Sequence, residues 1–154
     1  MIGHVLEWAI VRVLARLFPK RWRVIPRLQD GVPMLRQFRI FDWLYLQSFL
    51  VGELPELFHF HRWRYMRSFV LSGVFWEERY PGGGRNTIRH AAPSTYSMDH
   101  TVIHNLCGSA PRTWTLFLMF GNRKMWGYYE RPRELPSFIP WDEAIPETRI
   151  VNPL

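Results

Sequence analysis

The sequence predicts an all-β domain, a sandwich or barrel, preceded by one helix. Three observations lead there. Short runs rich in Phe, Trp, Tyr, Val, Ile and Leu recur from about residue 36 onward. Turn signals separate them, as in Asp30-Gly31-Val32-Pro33 and Pro81-Gly82-Gly83-Gly84. The stretch with helical character lies at the N-terminus. Regularly spaced short strands joined by Gly and Pro turns are the pattern of such folds.

Residues His4 to Phe18 read as the helix, with Val5, Leu6, Trp8, Ala9, Ile10, Val11, Val13, Leu14 and Leu17 covering most of its circumference. So wide an apolar surface calls for burial on several sides. Packing on the domain or on a second subunit is favoured over an interfacial membrane helix, although Lys20-Arg21-Trp22-Arg23 supplies a basic flank. Pro19 ends the helix. Arg36 to Leu50 is rich in strand formers, and Gly52 to Leu57 is a loop containing Pro55. Phe58 to Gly73 holds His59-Phe60-His61 and then the apolar strand Ser68-Phe69-Val70-Leu71. Val74 to Tyr80, Thr87 to His90 and Asp99 to Leu106 are further strands. Gly108 to Arg112 is a turn, Thr113 to Phe120 is the clearest buried strand, and Met125 to Glu130 is the last. The proline-rich tail from Arg131 is expected to wrap over the surface. The division expected is a helix over 1–22, a β-barrel over 23–143 and a tail over 144–154.

Composition narrows the classes. A chain of 154 residues that is 47% hydrophobic and 16% aromatic buries a real core and is not a disordered protein. Its 20 Lys and Arg against 13 Asp and Glu leave a formal charge of +7. An anionic partner is one reading of that excess. The favoured one is that arginines solubilise an aromatic-rich surface. Arg62-Trp63-Arg64-Tyr65-Met66-Arg67 interleaves cations and rings as single-strand binders do. An amphipathic strand requires the same alternation, so nucleic acid is not the expected partner. Cys107 is the single cysteine, which rules out an intramolecular disulfide and fits a reducing, cytoplasmic setting. Glu7 and Arg12 interrupt the N-terminal apolar stretch, which reads poorly as a signal peptide. No run reaches the roughly 20 apolar residues of a membrane span. Cys107 sits in a Cys-Gly-Ser turn with no helix N-terminus beside it, so nucleophilic catalysis finds little support. The Gly82-Gly83-Gly84 run lacks the Lys-Ser/Thr of a phosphate loop.

The chemistry-bearing motif is His59-Phe60-His61. Two histidines at i and i+2 of a strand point the same way. A third from a distant strand would complete one face of a metal site, and imidazole suits zinc, copper, iron and nickel. His100 and His104 are both available, four residues apart and on one face of a regular strand. Glu77 and Glu78 follow Gly73 on a strand, and alternation sends one of them inward.

Together with His59-Phe60-His61-Arg62-Trp63, the segments Ser68-Phe69-Val70-Leu71-Ser72-Gly73, Asp99-His100-Thr101-Val102, Trp114-Thr115-Leu116-Phe117-Leu118, Trp126-Gly127-Tyr128 and Pro140-Trp141-Asp142-Glu143 resemble the cupin superfamily. More closely, they are similar in order to a group of small cupin-like proteins of bacteria and their phages, often labelled cysteine-dioxygenase-like. The resemblance implies a double-stranded β-helix (jelly roll) with a metal at its mouth. It implies His59, His61 and His100 as ligands, with His104 and Glu78 as additional candidates. The chain departs from the pattern at Met66, where the usual motif has glutamate. It departs again at Arg62, where the close group has proline, and at Thr95 and Ser97, where the second motif has proline and glycine.

The expected function is therefore a three-histidine transition-metal site, with Fe(II) the ion indicated, in a dioxygenase-like oxidoreductase on a small molecule. Arg62, Trp63, Tyr65, Arg89, Tyr96 and Tyr128 are the candidate pocket residues, with Arg62 or Arg89 as partner for a substrate carboxylate or phosphate. The alternative is a metal-free, non-catalytic cupin that binds a small molecule or a protein partner, including a second copy of itself.

Overall fold

The computed structural model describes residues 5, 7–27, 30–51, 57–80, 86–122, 127–130 and 138–140, excepting the side chains at 8–11, 57, 60, 80, 86, 122, 127–130 and 138–140. The segments read for 52–56, 81–85, 123–126 and the tail beyond 140 lie outside the described residues.

The N-terminal helical segment α1 (Glu7–Leu14) is wound with π geometry and continues as one α-helical turn, α2 (Ala15–Leu17). A tight turn at Pro19–Arg21 leads into β1 (Trp22–Pro26), a strand not foreseen from the sequence. The strand-rich stretch from 36 to 50 is a hairpin of β2 (Pro33–Phe41) and β3 (Leu44–Phe49). Then come β4 (Leu57–Phe60), β5 (Trp63–Ser72), β6 (Val74–Tyr80) and β7 (Asn86–Ala91). The next are β8 (Ser94–Asp99), β9 (Ile103–Ser109) and β10 (Thr113–Asn122), followed by β11 (Gly127–Glu130) and β12 (Phe138–Pro140).

These strands form two antiparallel sheets, ordered β1-β2-β3-β10-β5-β8 and β12-β11-β4-β9-β6-β7. The inner eight alternate between sheets, with β3-β10-β5-β8 facing β4-β9-β6-β7. That order is a jelly roll of two Greek keys.

One expected strand is broken. The run from Asp99 to Leu106 is the end of β8, a turn and the start of β9. The cause is local. The Asp99 carboxylate accepts hydrogen bonds from the Thr101 amide, at 2.8 Å, and from the Thr101 hydroxyl. The Val102 amide donates to the Asp99 carbonyl at 3.2 Å. Aspartate two residues before a satisfied amide is an Asx turn. His100 therefore sits in a turn and does not share a strand face with His104.

Alternation sorts each strand of the first sheet. Ile25, Leu35, Phe49 and Val70 face inward and meet Phe75 of the second sheet, and Met34 at the start of β2 joins their cluster. Tyr45, Met66, Met98, Phe117 and Met119 extend this inner layer. Trp22, Phe38, Leu46 and Trp114 pack on the opposite face, where Ala15 and Leu14 cover them. The helical segment thus lies outside the barrel, and Glu7 pairs with Arg36 of β2 at 2.5 Å. The chain passes between sheets at Gly73, whose φ of +77° favours glycine. A Cβ there would stand 2.7 Å from the Thr113 Cα. No helix among the described residues is long and apolar enough to cross a membrane.

Candidate metal centre and its cavity

The second sheet brings three histidines together. His59 on β4 is the register partner of His104 on β9. His61 lies two residues on, just past the end of β4. One ring nitrogen from each of His59, His61 and His104 lies within 4.8 Å of the others. The His61 and His104 Nε2 atoms stand 3.0 Å apart. Two nitrogens bound at right angles to one ion about 2.1 Å away are separated by about 3 Å.

His104 is held from behind. Its Nδ1 lies 2.8 Å from Glu77 Oε1, and His90 Nε2 lies 2.7 Å from Glu77 Oε2. Arg79 adds a two-pronged contact, Nε to Oε1 at 3.0 Å and Nη2 to Oε2 at 3.2 Å. Burial opposes the Glu77 charge, but the hydrogen bonds from His104, His90 and Arg79 outweigh it and hold the carboxyl far below its usual range. A carboxylate only accepts, so the His104 proton sits on Nδ1 and the Nε2 lone pair points at the cluster. A carboxylate behind a ligating histidine is the arrangement that orients metal-bound imidazoles.

Burial above all, then the neighbouring His59 and His104, keeps His61 well below its usual pKa. It is therefore neutral, the form that binds a metal. Its Nδ1 is buried without a hydrogen-bond partner among the described residues. Three imidazoles with converging nitrogens fit a transition ion.

The cluster opens onto a cavity between the sheets. Its empty space is about 710 Å³, mouth included. Trp63 and Tyr96 line it, as do Met98, Phe117, Met119 and Arg23. Burial pushes the Tyr96 hydroxyl up in pKa, with Ser68 opposing, so it stays protonated.

The third histidine of the cluster is His104 rather than His100. His100 lies in the turn after β8, where its amide donates to the Arg64 carbonyl at 3.3 Å. Glu78 is outside the cluster, and of the two glutamates it is Glu77 that reaches it, through His104. A register shift between Trp76 and Glu78 leaves both carboxyl-bearing residues largely buried, so simple alternation does not separate them. Arg62 and Arg89 are exposed, Tyr65 is 56% exposed, and none of the three lines the cavity. Arg62 sits in the bend between β4 and β5, with its guanidinium over the Trp63 ring at 5.3 Å. The Tyr128 side chain lies outside the described residues, but its backbone pairs with His59. Met66 points inward at the position where the motif has glutamate, packed with Met98 and Met119.

Sequence reasoning missed Arg23, Gln37 and Gln47, which line the cavity. The signal of the two glutamines was available. Each glutamine interrupts an apolar alternation, Leu35-Gln37 and Tyr45-Gln47-Phe49.

No family model matches the chain, and no curated protein matches it. Solved structures do. Fe(II)-HppE is similar at 13% identity and a TM-score of 0.49, over 66% of this chain and 57% of that one. This chain thus spans little more than half the length of that protein. KdgF from Halomonas sp. is similar at 15% identity and a TM-score of 0.43, over 73% and 89%. A Ralstonia eutropha protein of unknown function with a cupin-like fold is similar at 16% identity and a TM-score of 0.45, over 85% of each chain. Strand order and sheet pairing identify this chain's fold as a cupin-type jelly roll.

Proposed function

We propose that the protein is a metal-dependent oxidoreductase of the dioxygenase type, acting on a small molecule, with Fe(II) held by His59, His61 and His104. The observation that carries this reading is the convergence of three imidazoles at one end of a cavity, one of them oriented by a buried carboxylate. The resemblance to the cysteine-dioxygenase-like group and the all-nitrogen donor set support iron. When bound, such an ion supplies redox and Lewis-acid chemistry beside the cavity. The protein's own residues do the rest. Glu77 fixes the His104 tautomer. Phe117, Met98 and Met119 exclude water from the cluster's surroundings. Tyr96 keeps a hydroxyl proton available in the cavity wall. The single Cys107 suits the reducing, cytoplasmic setting that belongs to this proposal.

A second reading, a metal-free binding module, is favoured by Met66. A thioether stands where the motif has a carboxylate, and thioethers are soft ligands.

Elemental analysis after anaerobic purification with iron supplied separates the two. Near-stoichiometric metal is expected in wild type and in His100→Ala. It should be lost in His59→Ala/His61→Ala and in His104→Ala. Metal-free, folded wild type would sink the oxidoreductase reading and leave the binding module.

A further inference from the structure

We propose that the cavity is built for a small carboxylic acid with an apolar body, its carboxylate gripped by a transverse row of Arg23, Gln37 and Gln47. The inference rests on the reading of this cavity as the ligand site and names the ligand's class.

The row is set by strand register. Arg23 pairs with Gln37, Gln37 with Gln47, and Gln47 with Thr115, at one level across β1, β2, β3 and β10. Alternation turns Arg23, Gln37 and Gln47 into the cavity. Arg23 Nε donates to Gln37 Oε1 at 2.8 Å, and the Thr115 hydroxyl donates to Gln47 Oε1 at 3.4 Å. Each amide oxygen thus already accepts one hydrogen bond. What the row chiefly still offers is N–H donors, from two amide NH₂ groups and the guanidinium tip. A donor-rich row selects an acceptor, and a planar fork suits a carboxylate.

Charge agrees. Among the described residues no carboxylate pairs with Arg23. Burial lowers its pKa, with Tyr45 opposing and Arg39 adding, yet a guanidinium keeps its proton. A half-buried cation without a counter-ion is costly, and one bound monoanion would relieve it.

The remaining walls fix the body. Above and below the row stand Ile25, Leu35, Phe49, Leu106, Phe117 and Met119. Such surface rewards a hydrocarbon and not a sugar or an amino acid.

The test titrates metal-free protein with hexanoate, hexanamide and the butanoate-to-octanoate series by calorimetry. Hexanoate should bind at least about tenfold more tightly than hexanamide. Arg23→Gln should erase that preference, and Arg23→Lys should restore part of it. Gln47→Leu, a gentler change should Arg23→Gln fail to fold, should weaken hexanoate several-fold. Equal binding of acid and amide would overturn the proposal. So would unchanged hexanoate binding in folded Arg23→Gln or Gln47→Leu, or no binding of any acid in the series. Wild type that binds hexanoate but no metal indicts the metal reading alone, and wild type that binds metal but no acid of the series indicts this one.

Discussion

The two sheets present opposite chemistry to the space between them. The second sheet points His59, His104, Glu77 and His90 inward, three imidazoles around one carboxylate. The first sheet points Arg23, Gln37 and Gln47 inward among methionines and aromatics, a set that donates hydrogen bonds and repels water. On the second sheet Glu77 accepts from three residues, His104, His90 and Arg79. On the first sheet the two glutamine oxygens each accept one bond and donors are left over. The difference teaches that a saturated network fixes geometry, whereas an unsaturated one awaits a ligand.

The comparison can be broken at the contact between the sheets. Phe75 is fully buried, 5.1 Å from the Phe49 ring across the core. Phe75→Ala should cost about 3–5 kcal/mol in urea unfolding, the largest single effect expected. A loss under about 1 kcal/mol would mean that the sheets do not depend on this core. Glu77→Gln comes next and acts on the second sheet alone. Removing the charge behind His104 should weaken metal binding by about 10–100-fold, read by competition with a chelating dye, while hexanoate binding stays unchanged. Gln47→Leu acts on the first sheet alone. It should leave metal affinity at the wild-type value and change stability by about 1 kcal/mol, the worth of the Thr115 bond.

The smallest effect is alkaline. Tyr96 has its folded pKa raised by burial, so the native state holds a proton that the unfolded chain releases above about pH 10. Its contribution is intact below pH 10 and declines as pH rises beyond it. Tyr96→Phe should show a flatter stability profile between pH 10 and 11, and the wild type one phenol absent from the 295 nm titration there. Parallel profiles would remove Tyr96 from the buried wall.

Much of this was legible in the chain, and the illegible parts share a cause. His59-Phe60-His61 was readable because the motif sits at the end of a strand whose alternation is undisturbed. The third histidine was not, because His100 and His104 differ only through a turn that Asp99 and Thr101 create with side-chain bonds. Glu77 and Glu78 could not be told apart, because a bulge in their pairing with β9 overrides alternation. Arg23 was hidden because β1 follows a helix and a basic run directly, and its strand character comes from pairing with β2. The jelly roll's sheet order depends on contacts no local pattern encodes. Motifs within one strand were visible, while juxtapositions across strands were not.

The antiparallel pairings that build the cavity also set when it can exist. His61 meets His104 across 43 residues, and Gln47 meets Thr115 across 68. Contacts so distant along the chain form late, and folds dominated by them assemble in about milliseconds to seconds. β10 inserts between β3 and β5, so the first sheet stays open down its middle until nearly the whole barrel sequence is in place. During refolding the local hairpin of β6 and β7 would form early, carrying Glu77 and His90 together before His104 arrives. An ion added at that stage meets scattered imidazoles, and the assembled cluster belongs to the final steps of folding.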